Sequence, residues 1–155
     1  MADNYEIDNV DLKILSILQH NAKKPYTEVA KQAFVSSGTV HVRMSKLEKM
    51  GVVKGASLDL NLAKLGYNVS AFLGVFLSKS SLYEKVATQL KKIHEITSIH
   101  YTTGNYSMFV RIYAKGTDHL KDILHDKIQK VDGIERTETF IILEETLTRS
   151  IQLDS

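Results

Sequence analysis

The sequence predicts an α+β chain built in two parts, and three observations predict it. Up to Met50, apolar residues recur at helical spacing, whereas from Val69 onward strand-like apolar runs alternate with helical ones. Turn residues such as Gly51, Gly104 and the pair Asp132-Gly133 fall where these segments end. The charge is uneven as well: Lys23 to Lys54 holds seven Lys/Arg and two Glu, a net +5, in a chain whose total is only +2.

The first helix is expected from Asp8 to Asn21. Asp8 can cap it, Asp11 favours its first turn, and Val10, Ile14, Ile17 and Leu18 form its buried face. Pro25 suits the start of a short second helix, Tyr26 to Gln32, because its missing N–H would be unpaired there anyway. Ala33-Phe34-Val35 then turns the chain into a third helix, capped by Ser36 or Ser37 and stopped at Gly51. On that helix Val40, Met44 and Leu47 share one face, while Thr39, His41, Arg43 and Lys46 lie off it. With a hairpin-like stretch from Val52 to Leu60, the pattern is a winged helix-turn-helix whose third helix fits a DNA major groove. An ordinary amphipathic surface helix would look similar taken alone. The preceding helices and the concentrated positive charge favour the DNA reading.

After Lys64-Leu65-Gly66-Tyr67 the periodicity changes. Val69 to Leu77 reads as an apolar strand and Leu82 to Ile93 as a helix built on Val86, Leu90 and Ile93. Ile96 to Thr103 and Ser107 to Ala114 are two strands joined through Gly104-Asn105-Tyr106. Thr117 to Val131 is a second helix, and Ile134 to Glu144 a last strand. The order βαββαβ is ferredoxin-like, with one sheet face covered by helices and the other open. An apolar open face is expected to pair with a second copy. The expected division is residues 1–62 for the helix-turn-helix with its strand linker and residues 63–155 for the ferredoxin-like part.

Composition narrows the function classes. There is no Cys, hence no disulfide and no thiolate metal site. No apolar run reaches the roughly 20 residues that span a bilayer, and the acidic start, Met1 to Asp11, carries no basic residue of a signal peptide. A cytoplasmic protein without a membrane partner is therefore expected. The six His show no ligand spacing, so no metal is expected. Asp118, Asp122 and Asp126 read as a solvated helix face. No base is placed to activate Thr137 or Thr139, and no phosphate loop is present; no catalytic residue and no cofactor are expected.

Several ordered motifs carry a family resemblance. They are Ile7-Asp8-Asn9-Val10-Asp11 with Ile14-Leu15, the stretch from Ser37 to Val53, Lys64-Leu65-Gly66-Tyr67, Tyr101-Thr102-Thr103-Gly104 and Arg136-Thr137-Glu138-Thr139. Together they resemble the Lrp/AsnC, or feast/famine, transcription regulators, from about Ile7 to Leu147. Where the family commonly places two acidic residues after Thr-Gly, this chain has Asn105 and Ser107, which looks most like the asparagine-responsive AsnC branch. The resemblance implies a homodimer assembling to an octamer, with an amino-acid effector bound between dimers at the loop Tyr101 to Ser107. Thr137 and Thr139 of a neighbour would close that site.

The expected DNA-binding residues are Ser37, Gly38, Thr39, His41 and Arg43 at the bases, with Lys46, Lys23, Lys24 and Lys54 at phosphates. The expected effector residues are Tyr101, Thr103, Gly104, Asn105, Tyr106, Ser107, Thr137 and Thr139. A neutral amide effector such as L-asparagine suits Asn105 and Ser107 better than a cationic amino acid would, and hydroxyl and N–H donors suit its carboxylate. The alternatives are another amino acid, such as leucine, or a non-DNA-binding amino-acid-binding oligomer.

Overall fold

A computed structural model describes residues 5–153. The chain divides into two compact units: Met1–Asp59 together with Leu147–Ser155, and Leu60–Thr146. The tail thus belongs with the first unit, where a simple division at 62/63 would leave it with the second.

The first unit contains α1 (Asn9–His20), α2 (Tyr26–Ala33) and α3 (Ser37–Lys49). Asp8 caps α1 by accepting the N–H groups of Val10 and Asp11, while the Asp11 carboxylate accepts the Asp8 N–H in return. Ser36 caps α3 by accepting the Thr39 N–H at 3.0 Å. Ile14, Leu18, Val29, Val40, Met44 and Leu47 close the core between the three helices. Past α3, Gly51 takes the left-handed conformation expected of a helix stop (φ 74°). The hairpin expected from Val52 to Leu60 does not form: among the described residues, no strand lies between α3 and the turn at Ala63–Leu65. Residues 54–61 are exposed and bury no apolar face that would reward strand pairing.

Phe34 ends α2 in the left-handed region (φ 58°, ψ 42°) with its ring exposed. A Cβ there is strained, which glycine avoids. Phe34→Gly is expected to stabilise the unit by about 1 kcal/mol, measured as a raised urea midpoint with unchanged slope.

The second unit is one antiparallel sheet in the order β2-β3-β1-β4. Its strands are β1 (Val69–Leu77), β2 (Ile96–Tyr101), β3 (Met108–Ala114) and β4 (Ile134–Ile141). Helices α4 (Tyr83–Leu90) and α5 (Thr117–Asp122) cover one face, and the expected βαββαβ order is observed. Ala71, Leu73 and Val75 of β1 and Met108, Val110 and Ile112 of β3 meet Val86, Leu90, Leu120 and Ile123 in the core. After Asp122 the helix widens into a π-helical turn, Ile123–Ile128. Residues five apart come into register in such a turn, which is how both Ile123 and Ile128 are fully buried. The other sheet face carries Phe72, Phe76, Phe109 and Phe140, with Phe109 and Phe140 stacked at 6.2 Å. No helix of the described residues is long and apolar enough to cross a membrane.

Candidate functional site

The exposed strip of α3 is set by its buried one. With Val40, Met44 and Leu47 turned to the core, Gly38, His41, Val42 and Lys46 are exposed, and Ser37 and Thr39 half-buried. Gly38, Thr39, Val42 and Lys46 line a shallow depression together with Tyr5. The strip is braced from beneath. His41 packs edge-on against Tyr26 at 4.6 Å, and the Lys46 ammonium stands 4.7 Å above the Tyr5 ring. Lys23 and Lys54 are exposed at the unit's surface, and the half-buried Lys24 donates to Gln32 at 3.2 Å. A capped helix N-terminus with small polar residues and flanking lysines can read base edges and hold phosphates.

Arg43 departs from the expectation that it reads bases. Its guanidinium turns toward the start of α1, 2.7 Å from Asp8 and 2.9 Å from Asp11, and it donates to the Tyr5 hydroxyl at 3.2 Å. The reason is electrostatic. Asp11 is fully buried and needs a cation and donors to remain charged there. Arg43 and Tyr5 supply them, the phenol donating to both Asp11 oxygens at 2.8 and 2.7 Å. The Arg43 hydrogen bond holds the Asp8 carboxyl below its ordinary range. Burial, with the Asp11 hydrogen bond, raises the Tyr5 phenol. Arg43 is therefore a clamp between α3 and α1.

The loop from Thr102 to Ser107 is built on backbone bonds. The Thr102 N–H donates to the Ser107 carbonyl at 3.2 Å and the Thr102 hydroxyl to the Tyr106 carbonyl at 2.9 Å. Ser107 reaches β1: its N–H donates to Val75 and its hydroxyl oxygen accepts the Leu77 N–H. That hydroxyl keeps its proton for another acceptor. Thr103, Gly104 and Asn105 are exposed at the tip, where Gly104 has φ 97°.

The remaining expected effector residues separate. Tyr106 lies on the open sheet face, edge-on to Phe76 and Phe109, and donates to Glu138 at 2.6 Å. That carboxylate raises the Tyr106 phenol above its ordinary value. Tyr101 lies on the helix-covered face, its ring 4.4 Å from Tyr83. Thr137 and Thr139 pair with the buried Val75 and Leu73, so they too lie on that face. Thr139 lines a groove with Leu120, Lys121 and Leu124. Among the described residues, neither threonine hydrogen-bonds to the loop of its own chain.

Two residues that matter here were not anticipated. Glu138 holds the Tyr106 hydroxyl, and Gly74 lies directly under the Tyr106 ring, where a Cβ would stand 2.5 Å from ring carbons. A glycine inside an otherwise apolar strand is the sequence signal for such a close approach.

The comparisons agree with this architecture. Residues 7–54 match the family described as "Winged helix-turn-helix DNA-binding". Residues 70–151 match the "Lrp/AsnC ligand binding domain". The regulatory protein AsnC of Escherichia coli is 41% identical over 150 residues, covering 97% of this chain and 99% of that protein. Its solved structure superposes with a TM-score of 0.89 at 40% identity, covering 96% and 99% of the two chains. The HTH-type transcriptional regulator FL11 of Pyrococcus furiosus is 36% identical, with 89% and 90% covered. A transcriptional regulator of Neisseria meningitidis, solved in complex with L-Met, shares the fold at 20% identity, with 94% and 95% covered and a TM-score of 0.88.

Proposed function

We propose a function from the premise that this chain belongs to the Lrp/AsnC family of DNA-binding transcription regulators with an amino-acid-binding domain: it is a sensor of L-asparagine. The observation that carries the proposal is the neutral loop tip, Gly104-Asn105 with the Ser107 hydroxyl, set beside a chain 41% identical to AsnC. Thr103, Ser107 and the backbone around Gly104 offer donors to the effector carboxylate, and Asn105 suits an amide. Thr137 and Thr139 close the site from a neighbouring copy. The aromatic open face, Phe72, Phe76, Phe109 and Phe140, supports a homodimer, since an apolar patch of this kind is costly in water. Dimers associating further, to an octamer, would bring loops and threonines of different copies together.

In DNA binding, Ser37, Gly38, Thr39 and His41 face the bases and Lys46, Lys23, Lys24 and Lys54 the phosphates. Two copies read a pseudo-palindrome with half-sites about one helical turn apart, or a multiple of it. Asparagine acts by binding one assembly more tightly than another, which shifts dimer association and the spacing of the DNA-binding heads. A regulator of this kind works in the cytoplasm.

Two substitutions separate the halves of the proposal. Lys46→Ala should weaken binding to all sequences alike and flatten the plot of log affinity against log salt by about one, read by fluorescence anisotropy. Gly104→Val places a β-branched residue at φ 97°, which only glycine adopts without strain. It should abolish the asparagine response in gel shifts with DNA upstream of the chain's own gene, while basal binding persists. An undiminished response would move the effector site away from this loop.

A further inference from the structure

The segment after β4 takes no part in the site described above. Residues 147–153 form no regular secondary structure and belong to the first unit, although they come after β4 in the chain. Their large aliphatic residues are not equivalent. Leu147 is 66% and Ile151 78% exposed, whereas Leu153 is sheltered. Leu153 lines a groove of about 590 Å³ in the first unit, walled by Leu12 and Leu15 of α1, Met44 of α3, and Val52 and Val53 beyond it. Ile7 and Val52 are 39% and 42% exposed, so the groove presents apolar surface that water disfavours.

We propose that this groove is a docking site for the C-terminal segment of its own chain, with Leu153 as the anchor. The sheltering of Leu153 beside an exposed Ile151 points to a specific seat. So does the composition of the lining that Leu153 shares, which is mostly aliphatic, with Gln19, Glu48 and Lys54 as polar members. Met44 lies two residues from both Val42 and Lys46, about 200° around the helix. A docked tail therefore leaves the exposed strip of α3 free. The groove that Leu153 lines is bounded instead by residues 52–56, the stretch that leaves α3 without forming a hairpin. The tail continues the strand that bears Thr137 and Thr139, and so gives the ligand-binding half a second covalent route to the DNA-binding half. Only this consequence depends on the proposed function; the docking itself does not.

The chain has no cysteine, so introduced thiols report cleanly. In the full chain under native conditions, the Leu153→Cys variant should react with a maleimide about fivefold more slowly than Ile151→Cys, and at the same rate in urea. A second pair keeps the anchor intact: Val53→Cys should label slowly, and faster when Leu153→Asp is added. Equal native rates in both pairs would overturn the proposal. A short bismaleimide on the Val53→Cys/Leu153→Cys variant should give an internally linked monomer. Covalent dimers would overturn it too, by assigning the groove to the tail of a second copy.

Discussion

An Arg43→Ala variant is expected to lose about 3 kcal/mol of stability in the first unit, because removing one partner of a buried pair leaves an uncompensated charge. Asp11 is fully buried, and without Arg43 its carboxylate keeps, among the described residues, the Tyr5 hydroxyl and the Asp8 N–H. Urea unfolding monitored by far-UV circular dichroism measures the loss. The second unit, whose core is separate, should unfold unchanged. A base-reading arginine with no structural role predicts the opposite, unchanged stability with specificity blurred at one base pair. Acid gives a second reading. The Asp8 carboxyl is held below its ordinary 3.8 by Arg43. A carboxyl lowered in the folded state contributes stability that is present above about pH 4 and is lost as pH falls through the folded value. Wild-type protein should show that loss below pH 4, and Arg43→Ala should show a smaller one, because the capping N–H groups of Val10 and Asp11 still hold the Asp8 carboxylate.

Gly74→Ala is the second large effect. The added Cβ would stand 2.5 Å from two carbons of the Tyr106 ring, so the ring must shift. Its hydrogen bond to Glu138 goes with it, and the loop moves because the Tyr106 carbonyl also holds the Thr102 hydroxyl. The expected cost is about 1–3 kcal/mol in the second unit. Asparagine held by that loop should bind about tenfold more weakly, which corresponds to about 1.4 kcal/mol. In a Tyr106→Ala background the same substitution should cost little, since the clash partner is gone and two contacting residues are not additive. Equal costs in both backgrounds would show that the ring is not what Gly74 accommodates.

Much of the fold was legible because local chemistry and long-range packing agree. Asp8 and Ser36 can each cap only a helix that begins at the next residue, and the 3.6 period of Val40, Met44 and Leu47 fixes which side of α3 is exposed. The first strand was legible as an apolar run, and the other three from the turn residues Gly104-Asn105-Tyr106 and Asp132-Gly133 that bound them. The features that stayed hidden depend on partners distant in sequence. Arg43 looks like any groove-facing cation until Asp11, 32 residues earlier, is seen to be buried beneath it. Val52 to Leu60 has strand-like composition, but beyond Val53 it buries no apolar face. The i to i+5 turn at Ile123–Ile128 leaves no mark in an otherwise regular helical pattern. In the loop between β2 and β3, Gly104-Asn105-Tyr106 was visible as a turn, but the reach of Tyr106 across Gly74 to Glu138 required the sheet register.

The central claim is that a DNA-binding regulator senses asparagine through its second half, and a thermal-shift screen of the purified protein against the twenty amino acids tests it most directly. Ligand that binds the folded state raises the melting temperature, by more as its concentration exceeds Kd. A selective rise with asparagine, lost in Gly104→Val, is the predicted result. A rise with lysine or arginine instead, or none with any amino acid, would contradict it.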